Sequence, residues 1–331
     1  MKIVLLFGGR GAEHEVSVRS AAHVYNRLST LCHEVFPVGI AKNGALFLCK
    51  GMPDAAFFQA APPVSLRFAD GKLSFCTDEI CFSPDLVFSV VHGKDGEDGA
   101  WQGLFTLAGV DFVGAGVSAS AIGMNKRLSK LLAARGGVPI VPYLTAKRYD
   151  GDLAARVAHH LSYPLFVKPT SGGSSIGVSR VETEDALAAA VSLALSEDEE
   201  ALIEEAVEGT EIEVGVLERD GALLISPPGE LCAAGAFYDY NAKYREKTTA
   251  FYTPARLSLW ETAYVKQLAA CVFRQLGCRD MARVDFLRRK DGKFFFNEIN
   301  TLPGFTEDSL FPRLFALIGV DAVTFLTEGR R

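Results

Sequence analysis

Near the C-terminal end, two pairs of polar residues interrupt otherwise apolar runs: Arg283 and Asp285 within residues 282–287, and Glu298 and Asn300 at the end of residues 294–300. Short apolar runs of this kind read as strands, and residues two apart on a strand share a face. A turn at Lys290-Asp291-Gly292-Lys293 would fold the runs into a hairpin and bring both pairs together. Asp285, Glu298 and Asn300 then offer hard oxygen ligands, which suit magnesium held jointly by carboxylates and substrate phosphates. Arg283 beside them can steady a phosphate or a developing oxyanion. A surface hairpin with ordinary charges is the alternative; four polar residues sharing faces within apolar strands argue against it.

A second set lies in the middle of the chain. Lys168 ends the strand-like residues 165–168, and Gly173-Ser174-Ser175-Ile176-Gly177 follows. Small residues and backbone amides in a hairpin loop can fold over phosphates, with Lys168 supplying positive charge. Alone, Lys168 would equally be a solvated strand end. The loop also matches G-x-S-x-G, the elbow of serine hydrolases, with Ser175 as nucleophile. That chemistry needs a helix after the serine and a histidine downstream. Residues 178–181 look like strand, and all six histidines (14, 23, 33, 92, 159 and 160) lie upstream.

Gly8-Gly9-Arg10-Gly11 follows an apolar first strand and precedes a helix-like period. Its amides could cradle a phosphate or carboxylate, or the glycines could simply make a tight turn. Glu13 either complements the helix start or faces a ligand and holds an ammonium group. His14-Glu15 opens a zinc-protease H-E-x-x-H pattern, but residue 18 is Val, and no Walker A pattern occurs. Further on, Gly304 in Pro303-Gly304-Phe305-Thr306 lets backbone approach a ligand. Ser309 and Leu310 begin an expected helix, whose N-terminus suits a carboxylate or is a plain cap. Residues 237–244 are aromatic and charged without period, and are expected to form a lid or to pack on the core.

These residues need an α/β scaffold. Strands are expected over 2–7, 34–40, 86–91 and 111–113, with helices after Gly11 and over 100–108. A helix over 127–135 ends at Gly136-Gly137, and Thr183 is placed to cap a helix over 186–195. Strands over 201–204, 212–217, 282–287 and 294–298 and a helix over 262–276 complete the pattern. The division is into three units: 1–116 for substrate, 117–204 with the phosphate loop, and 205–331 with the lid and metal hairpin. The 331 residues carry a net charge of -6, which argues against a nucleic-acid surface. No apolar run approaches a membrane span, and the short start reads as a strand and not a signal peptide. Seven scattered cysteines without C-x-x-C point to reduced core thiols in a cytoplasmic protein.

Taken in order, the motifs resemble those of the D-alanine–D-alanine ligases, a branch of the ATP-grasp enzymes. The likeness covers nearly the whole chain. It includes Leu6-Phe7-Gly8-Gly9 with Ala12-Glu13-His14-Glu15-Val16-Ser17, and His92-Gly93 with Gly96-Glu97-Asp98-Gly99. It continues through Met124-Asn125-Lys126, Val167-Lys168-Pro169, the Gly173–Gly177 loop and Tyr238-Asp239-Tyr240 with Lys243-Tyr244. It ends in the two polar pairs and Pro303-Gly304-Phe305-Thr306.

The resemblance implies a three-domain ATP-grasp fold with an N-terminal Rossmann-like domain, and ATP gripped between the second and third domains. Lys126, Lys168 and Lys243 would contact nucleotide phosphates. Glu204 and Val207 would lie by the adenine and Glu211 by the ribose. Asp285, Glu298 and Asn300 would hold two magnesium ions, or manganese. Glu13 would bind the ammonium of the first D-alanine, with Ser174 and Tyr244 hydrogen-bonded to it and closing the lid. His92 would line the substrate site, Arg283 and the Gly304 amide would bind the oxyanion, and Ser309 and Leu310 would receive the second carboxylate. The implied reaction makes D-alanyl-D-alanine for peptidoglycan precursors through an acyl phosphate; a homodimer is the family expectation.

Four positions depart from the family pattern. Asn125 stands where Asp is frequent, and Glu205 where Lys is common. Glu307-Asp308-Ser309 replaces Ser-His-Ser, adding two carboxylates near the second substrate. Tyr244 matches the dipeptide-forming branch, and apolar Leu310 suits D-alanine over D-serine. An apolar pocket rejects one hydroxyl poorly, so a D-alanine–D-serine ligase is the alternative within the family.

Overall fold

Every residue from Ile3 to Phe7 is fully buried, and the first strand is buried on both faces, as its unbroken apolar run requires. The structure, a computed structural model, describes residues 1–54, 61–69, 71–232 and 250–330. Its N-terminal sheet comprises β1 (Lys2–Gly8), β2 (Glu34–Ile40), β3 (Leu46–Leu48), β4 (Pro63–Ala69), β5 (Lys72–Cys76), β6 (Cys81–Phe82), β7 (Leu86–Ser89) and β8 (Asp111–Phe112). Their order is β6-β5-β4-β3-β2-β1-β7-β8. β1 runs parallel to β2 and β7, in register Lys2↔Glu34 and Ile3↔Leu86.

Helix α1 (His14–Thr30) makes the crossover and buries Val18, Ala21, Val24 and Leu28 at helical spacing. Gly8 turns the chain into it with φ +89°; a Cβ there would land on the Ile40 carbonyl oxygen, so only glycine fits. Helix α2 (Ala100–Leu107) covers the opposite face through Phe105.

Helices α3 (Val117–Met124) and α4 (Lys126–Arg135) follow. A second, antiparallel sheet then contains β9 (Tyr143–Ala146), β10 (Leu165–Pro169), β11 (Ser179–Val181) and β12 (Ala201–Glu205), in the order β11-β10-β12-β9. Helices α5 (Gly151–His160) and α6 (Leu187–Glu197) bury Val157, Leu187 and Val191 against Leu165, Val167 and Ile203. Thr183 does not cap α6 as expected: a 3-10 turn over Glu184–Ala186 intervenes, and the Thr183 side chain makes no capping bond.

The third sheet comprises β13 (Gly209–Arg219), β14 (Ala222–Ile225), β15 (Gly229–Cys232), β16 (Ala250–Tyr252), β17 (Met281–Arg289) and β18 (Phe294–Asn300). The order is β16-β15-β13-β17-β18, with β14 also on β13. Helix α7 (Leu259–Gln275) starts at a Ser258/Glu261 capping box and buries Val265, Ala269 and Val272 against Val214, Val284 and Phe286. Helices α8 (Leu310–Ala316) and α9 (Ala322–Thr327) turn back to the first sheet. Phe305, Phe311, Phe315 and Leu326 share one core with Ile3, Leu5 and Phe7, so the end of the chain is fastened to its beginning. Among the described residues, no helix is long and apolar enough to cross a membrane.

The cysteine expectation is corrected. Cys76 and Cys81 pair in register across β5 and β6, around a turn closed by Thr77 and Ile80, and are joined as a disulfide. A local turn, invisible as a C-x-x-C motif, brings them together. Of the remaining described thiols, all free, Cys32 is exposed, while Cys49, Cys271 and Cys278 are partly buried and pack against the cores.

Candidate active site

The β17–β18 hairpin forms as the spacing predicts, with Arg283 opposite Asn300 and Asp285 opposite Glu298. A bulge after Asp285 resets the pairing, so the polar pairs stay aligned while Phe286 and Phe296 pack inward. Asp285 is fully buried and accepts from Arg283 Nε at 2.8 Å and Nη2 at 2.7 Å. Arg283 also meets Glu213 of β13 at 3.1 Å. Burial alone would lower the Arg283 pKa; Asp285 and then Glu213 reverse this and raise it. Glu211, Glu213 and Asp285 place ligand oxygens within 4.8 Å of one another.

Glu213 escaped the sequence reading. Its signal was the same two-residue spacing, Glu211 and Glu213 on one face of a strand, that exposed Arg283 and Asp285. The donor set of Asp285, Glu298 and Asn300 is all oxygen, with two carboxylates and an amide facing across one strand pair, and so fits magnesium.

Asn300 extends this network toward the N-terminal domain. With its amide oriented to satisfy both neighbours, its nitrogen donates to Glu97 Oε1 at 3.1 Å and its oxygen accepts from Arg283 Nη2 at 3.3 Å. Behind Glu97 lies His92, buried, with Nδ1 3.1 Å from the Leu302 carbonyl and Nε2 3.2 Å from Ser20 Oγ. Burial disfavours the His92 charge, but Glu97, through a hydrogen bond and its charge, and Glu13 outweigh it and raise the His92 pKa. Glu97 is also raised, first by burial and then by Glu13, against the pull of His92.

Glu13 precedes α1, and the strand ends around it are fixed by the helix. Ser17 Oγ accepts from Gly8 N at 2.8 Å and donates to the Val90 carbonyl at 2.5 Å, while His14 Nδ1 lies 2.8 Å from the Gly9 carbonyl. Ser174 crosses from the central domain and donates its hydroxyl to Glu13 Oε1. Ser174 and Ser175 both take left-handed backbone (φ +55° and +57°), an unusual conformation for two successive non-glycine residues. The loop joins the antiparallel strands β10 and β11, Leu165 opposite Val181. Strand, not helix, follows Ser175, and the hydrolase elbow is excluded.

Lys126 opens α4, where Asn125 caps the helix by accepting from Leu128 N at 2.9 Å, so the Asn departure keeps the capping function. The Lys126 ammonium donates to the Gly172 carbonyl at 2.6 Å and pairs with Glu298 at 3.2 Å. Lys168 pairs with Glu204 and donates to Asn297 Oδ1 at 3.3 Å. Glu204 also takes Lys130 at 3.0 Å. Burial alone would raise the Glu204 carboxyl; Lys130 and Lys168 instead hold it down to about 2. Val207, before β13, and Glu211, within it, are half-buried, and Glu205 accepts from Ser162 N at 2.9 Å.

A cavity of about 900 Å³ joins these groups. Glu13, His92, Ser174 and Lys126 line it from the first two domains, and Arg283, Glu298, Asn300, Gly304, Ser309 and Leu310 from the third. Ser309 Oγ caps the turn before α8, 3.0 Å from Thr306 N, and Leu310 is buried beside it. Glu307 and Asp308 are exposed on the same wall, with Arg19, His23 and Arg313. Lys168, Glu204, Val207, Glu211 and Asp285 do not line this cavity. Lys243 and Tyr244, and the lid expected around them, lie outside the described residues.

Three sheets with a phosphate-type loop, convergent lysines and an oxygen-ligand hairpin define an α/β ligase of ATP-grasp architecture. Family models described as D-ala D-ala ligase N-terminus and D-ala D-ala ligase C-terminus match residues 2–115 and 132–328. A D-alanine--D-alanine ligase of Mycobacterium tuberculosis is 39% identical over 349 residues, covering 98% of this chain and 93% of the relative. Among solved structures, VanG D-Ala:D-Ser ligase from Enterococcus faecalis superposes with a TM-score of 0.88 at 33% identity, covering 98% of this chain and 97% of that one. The D-alanine-D-alanine ligase from Coxiella burnetii gives 0.86 at 32%, covering 98% and 91%. The chain belongs to the D-alanine–D-alanine ligase family and is an enzyme.

Proposed function

We propose that the chain joins two D-alanines into D-alanyl-D-alanine with cleavage of ATP to ADP and phosphate, and so supplies peptidoglycan precursors. The observation that carries this reading is the meeting, in one cavity, of the Glu13–Ser174 pair with Arg283, Glu298, Asn300 and Gly304. Glu13, steadied by Ser174, takes the ammonium of the first D-alanine and leaves its carboxylate facing the phosphate site. Lys126 and Lys168 meet the nucleotide phosphates, Glu204 and Val207 border the adenine, and Glu211 takes the ribose. Lys243 and Tyr244 are assigned to the phosphates and to lid closure. Asp285, Glu298 and Asn300 would hold magnesium, which neutralises charge on the transferring phosphoryl group when bound.

The carboxylate of the first D-alanine attacks the γ-phosphorus, ADP leaves, and an acyl phosphate forms. The amine of the second D-alanine, whose carboxylate sits at Ser309 and the Leu310 amide, attacks the acyl carbon. Arg283 and the Gly304 amide receive the oxyanion, and phosphate leaves with one of the original carboxylate oxygens. Exclusion of water protects the acyl phosphate. Apolar, buried Leu310 supports D-alanine as acceptor; D-serine is the alternative, resting on the likeness to the D-Ala:D-Ser ligase structure. The same reading assigns residues 1–116, 117–204 and 205–331 to the three domains, and with it a cytoplasmic homodimer.

D-alanine labelled with ¹⁸O in its carboxylate tests the mechanism. One labelled oxygen should appear in inorganic phosphate per dipeptide formed. Phosphate free of label, with dipeptide still produced, would exclude the acyl phosphate.

A further inference from the structure

Lys130 is fully buried in the middle of α4, does not line the cavity and is unused by the chemistry above. A buried ammonium is tolerated only when paired and hydrogen-bonded. Its partners are Glu204 Oε2 at 3.0 Å and the Phe296 carbonyl at 3.2 Å. The other Glu204 oxygen takes Lys168, and Lys168 in turn donates to Asn297, the residue after Phe296. One ammonium therefore joins α4 to β12, which carries Glu204, and to β18, two residues before Glu298.

We infer that Lys130 is a positioning residue for the ATP phosphates, acting through Glu204 to keep Lys168 placed and effectively charged. The inference rests on the ATP reading of the site. Burial lowers the Lys130 pKa against the pull of Glu204; with both lysines protonated on one carboxylate, the Lys130–Glu204–Lys168 group carries one net positive charge. Without Lys130 both Glu204 oxygens turn to Lys168, the group becomes neutral, and its attraction for phosphate falls. The carboxylate would also lose the ion pair at Oε2, leaving Lys168, assigned to the nucleotide, as its remaining lysine among the described residues.

A merely structural bolt would weaken all ligands together; a positioning role is selective for phosphate. The test is titration calorimetry of ADP and of adenosine with wild type, Lys130→Met and Lys130→Arg, alongside separate KM values for ATP and D-alanine. Lys130→Met should weaken ADP at least tenfold more than it weakens adenosine, whose base also borders Glu204, and raise the KM for ATP similarly, while the KM for D-alanine stays within about threefold. Lys130→Arg should recover most of the loss. Should Lys130→Met not fold, Lys130→Gln carries the test, since it can donate to Glu204 and Phe296 without the charge. Equal weakening of ADP and adenosine, or no weakening, in a folded charge-removed variant would overturn the inference. Failure of the wild type to bind ADP would instead strike at the ATP reading.

Discussion

Arg283 lays its Nε and Nη2 on the two carboxylate oxygens of Asp285, two residues further along the same strand, and touches Glu213 on the neighbouring strand. The cation assigned to the oxyanion is thus bonded to a carboxylate assigned to the metal. Lys126 with Glu298 repeats the arrangement. The site holds these charges balanced in pairs.

The pair makes Arg283 important to the fold as well as to the chemistry. Arg283→Met should leave Asp285 and Glu213 buried without their guanidinium, a loss of about 3–5 kcal/mol. Added magnesium should recover part of it, because Asp285 then regains a cation. Arg283→Lys, which cannot form the fork, should lower kcat by about 10²–10³-fold. Chemical denaturation with and without magnesium checks the first effect, steady-state kinetics the second. A Met variant as stable as wild type would show that the pair is not holding the strands.

Glu13 precedes the first helix of the N-terminal sheet and Ser174 lies in the β10–β11 loop, and their hydrogen bond joins the proposed substrate and phosphate sites. Glu13→Gln should raise the KM for the first D-alanine by about 10–100-fold, the worth of a charged hydrogen bond, with nucleotide affinity nearly unchanged. Ser174→Ala should do the same more weakly. Calorimetry of ADP against wild type separates the two; an equal loss of ADP affinity would place Glu13 elsewhere in the mechanism.

Acid should weaken the Glu204 pairing. The folded carboxyl sits at about 2, below its unfolded value of roughly 4.3, so its contribution is present above the unfolded pKa and is lost as pH falls toward 2. The stability difference between wild type and Glu204→Gln should shrink by around 3 kcal/mol between pH 5 and pH 2. Urea unfolding across that range reads it. A difference that does not vary with pH would mean the two lysines do not hold Glu204 ionised.

Gly96 is fixed by space: a Cβ there would land on the Val91 carbonyl oxygen, and the Gly96 carbonyl accepts from Gln102 at 2.7 Å. Gly96→Ala should displace the loop carrying Glu97, costing about 1–3 kcal/mol and loosening the Glu97–Asn300 contact. A drop in melting temperature with lower kcat is the expected outcome. Wild-type values for both would show that the loop yields freely.

What the sequence disclosed and what it hid follow from locality. Arg283, Asp285, Glu298 and Asn300 could be read because two-residue spacing and apolar flanks are local facts, and the hairpin turn is short. Glu213 meets Asp285 only through β13–β17 pairing, a contact between distant segments. Lys130 sits mid-helix, where a lysine ordinarily marks a solvated face; the packing of α4 among α3, α7 and β18 buries it. The meander β3–β6 went unread although Val64-Ser65-Leu66-Arg67-Phe68 and Leu73-Ser74-Phe75 alternate as half-buried strands do; β3 and β6, of three and two residues, are too short to show a period. Glu97 stood in a motif without a role, which became visible when the fold placed it between His92 and Asn300.

The central claim is that this cavity couples ATP cleavage to joining D-alanine. Phosphate release from magnesium-ATP should require D-alanine and proceed in step with D-alanyl-D-alanine, one phosphate per dipeptide. D-serine or D-lactate offered together with D-alanine should not displace it as acceptor. Glu298→Ala, folded as wild type, should release none. Absence of phosphate release with any D-acceptor, or full turnover by Glu298→Ala, would contradict the account.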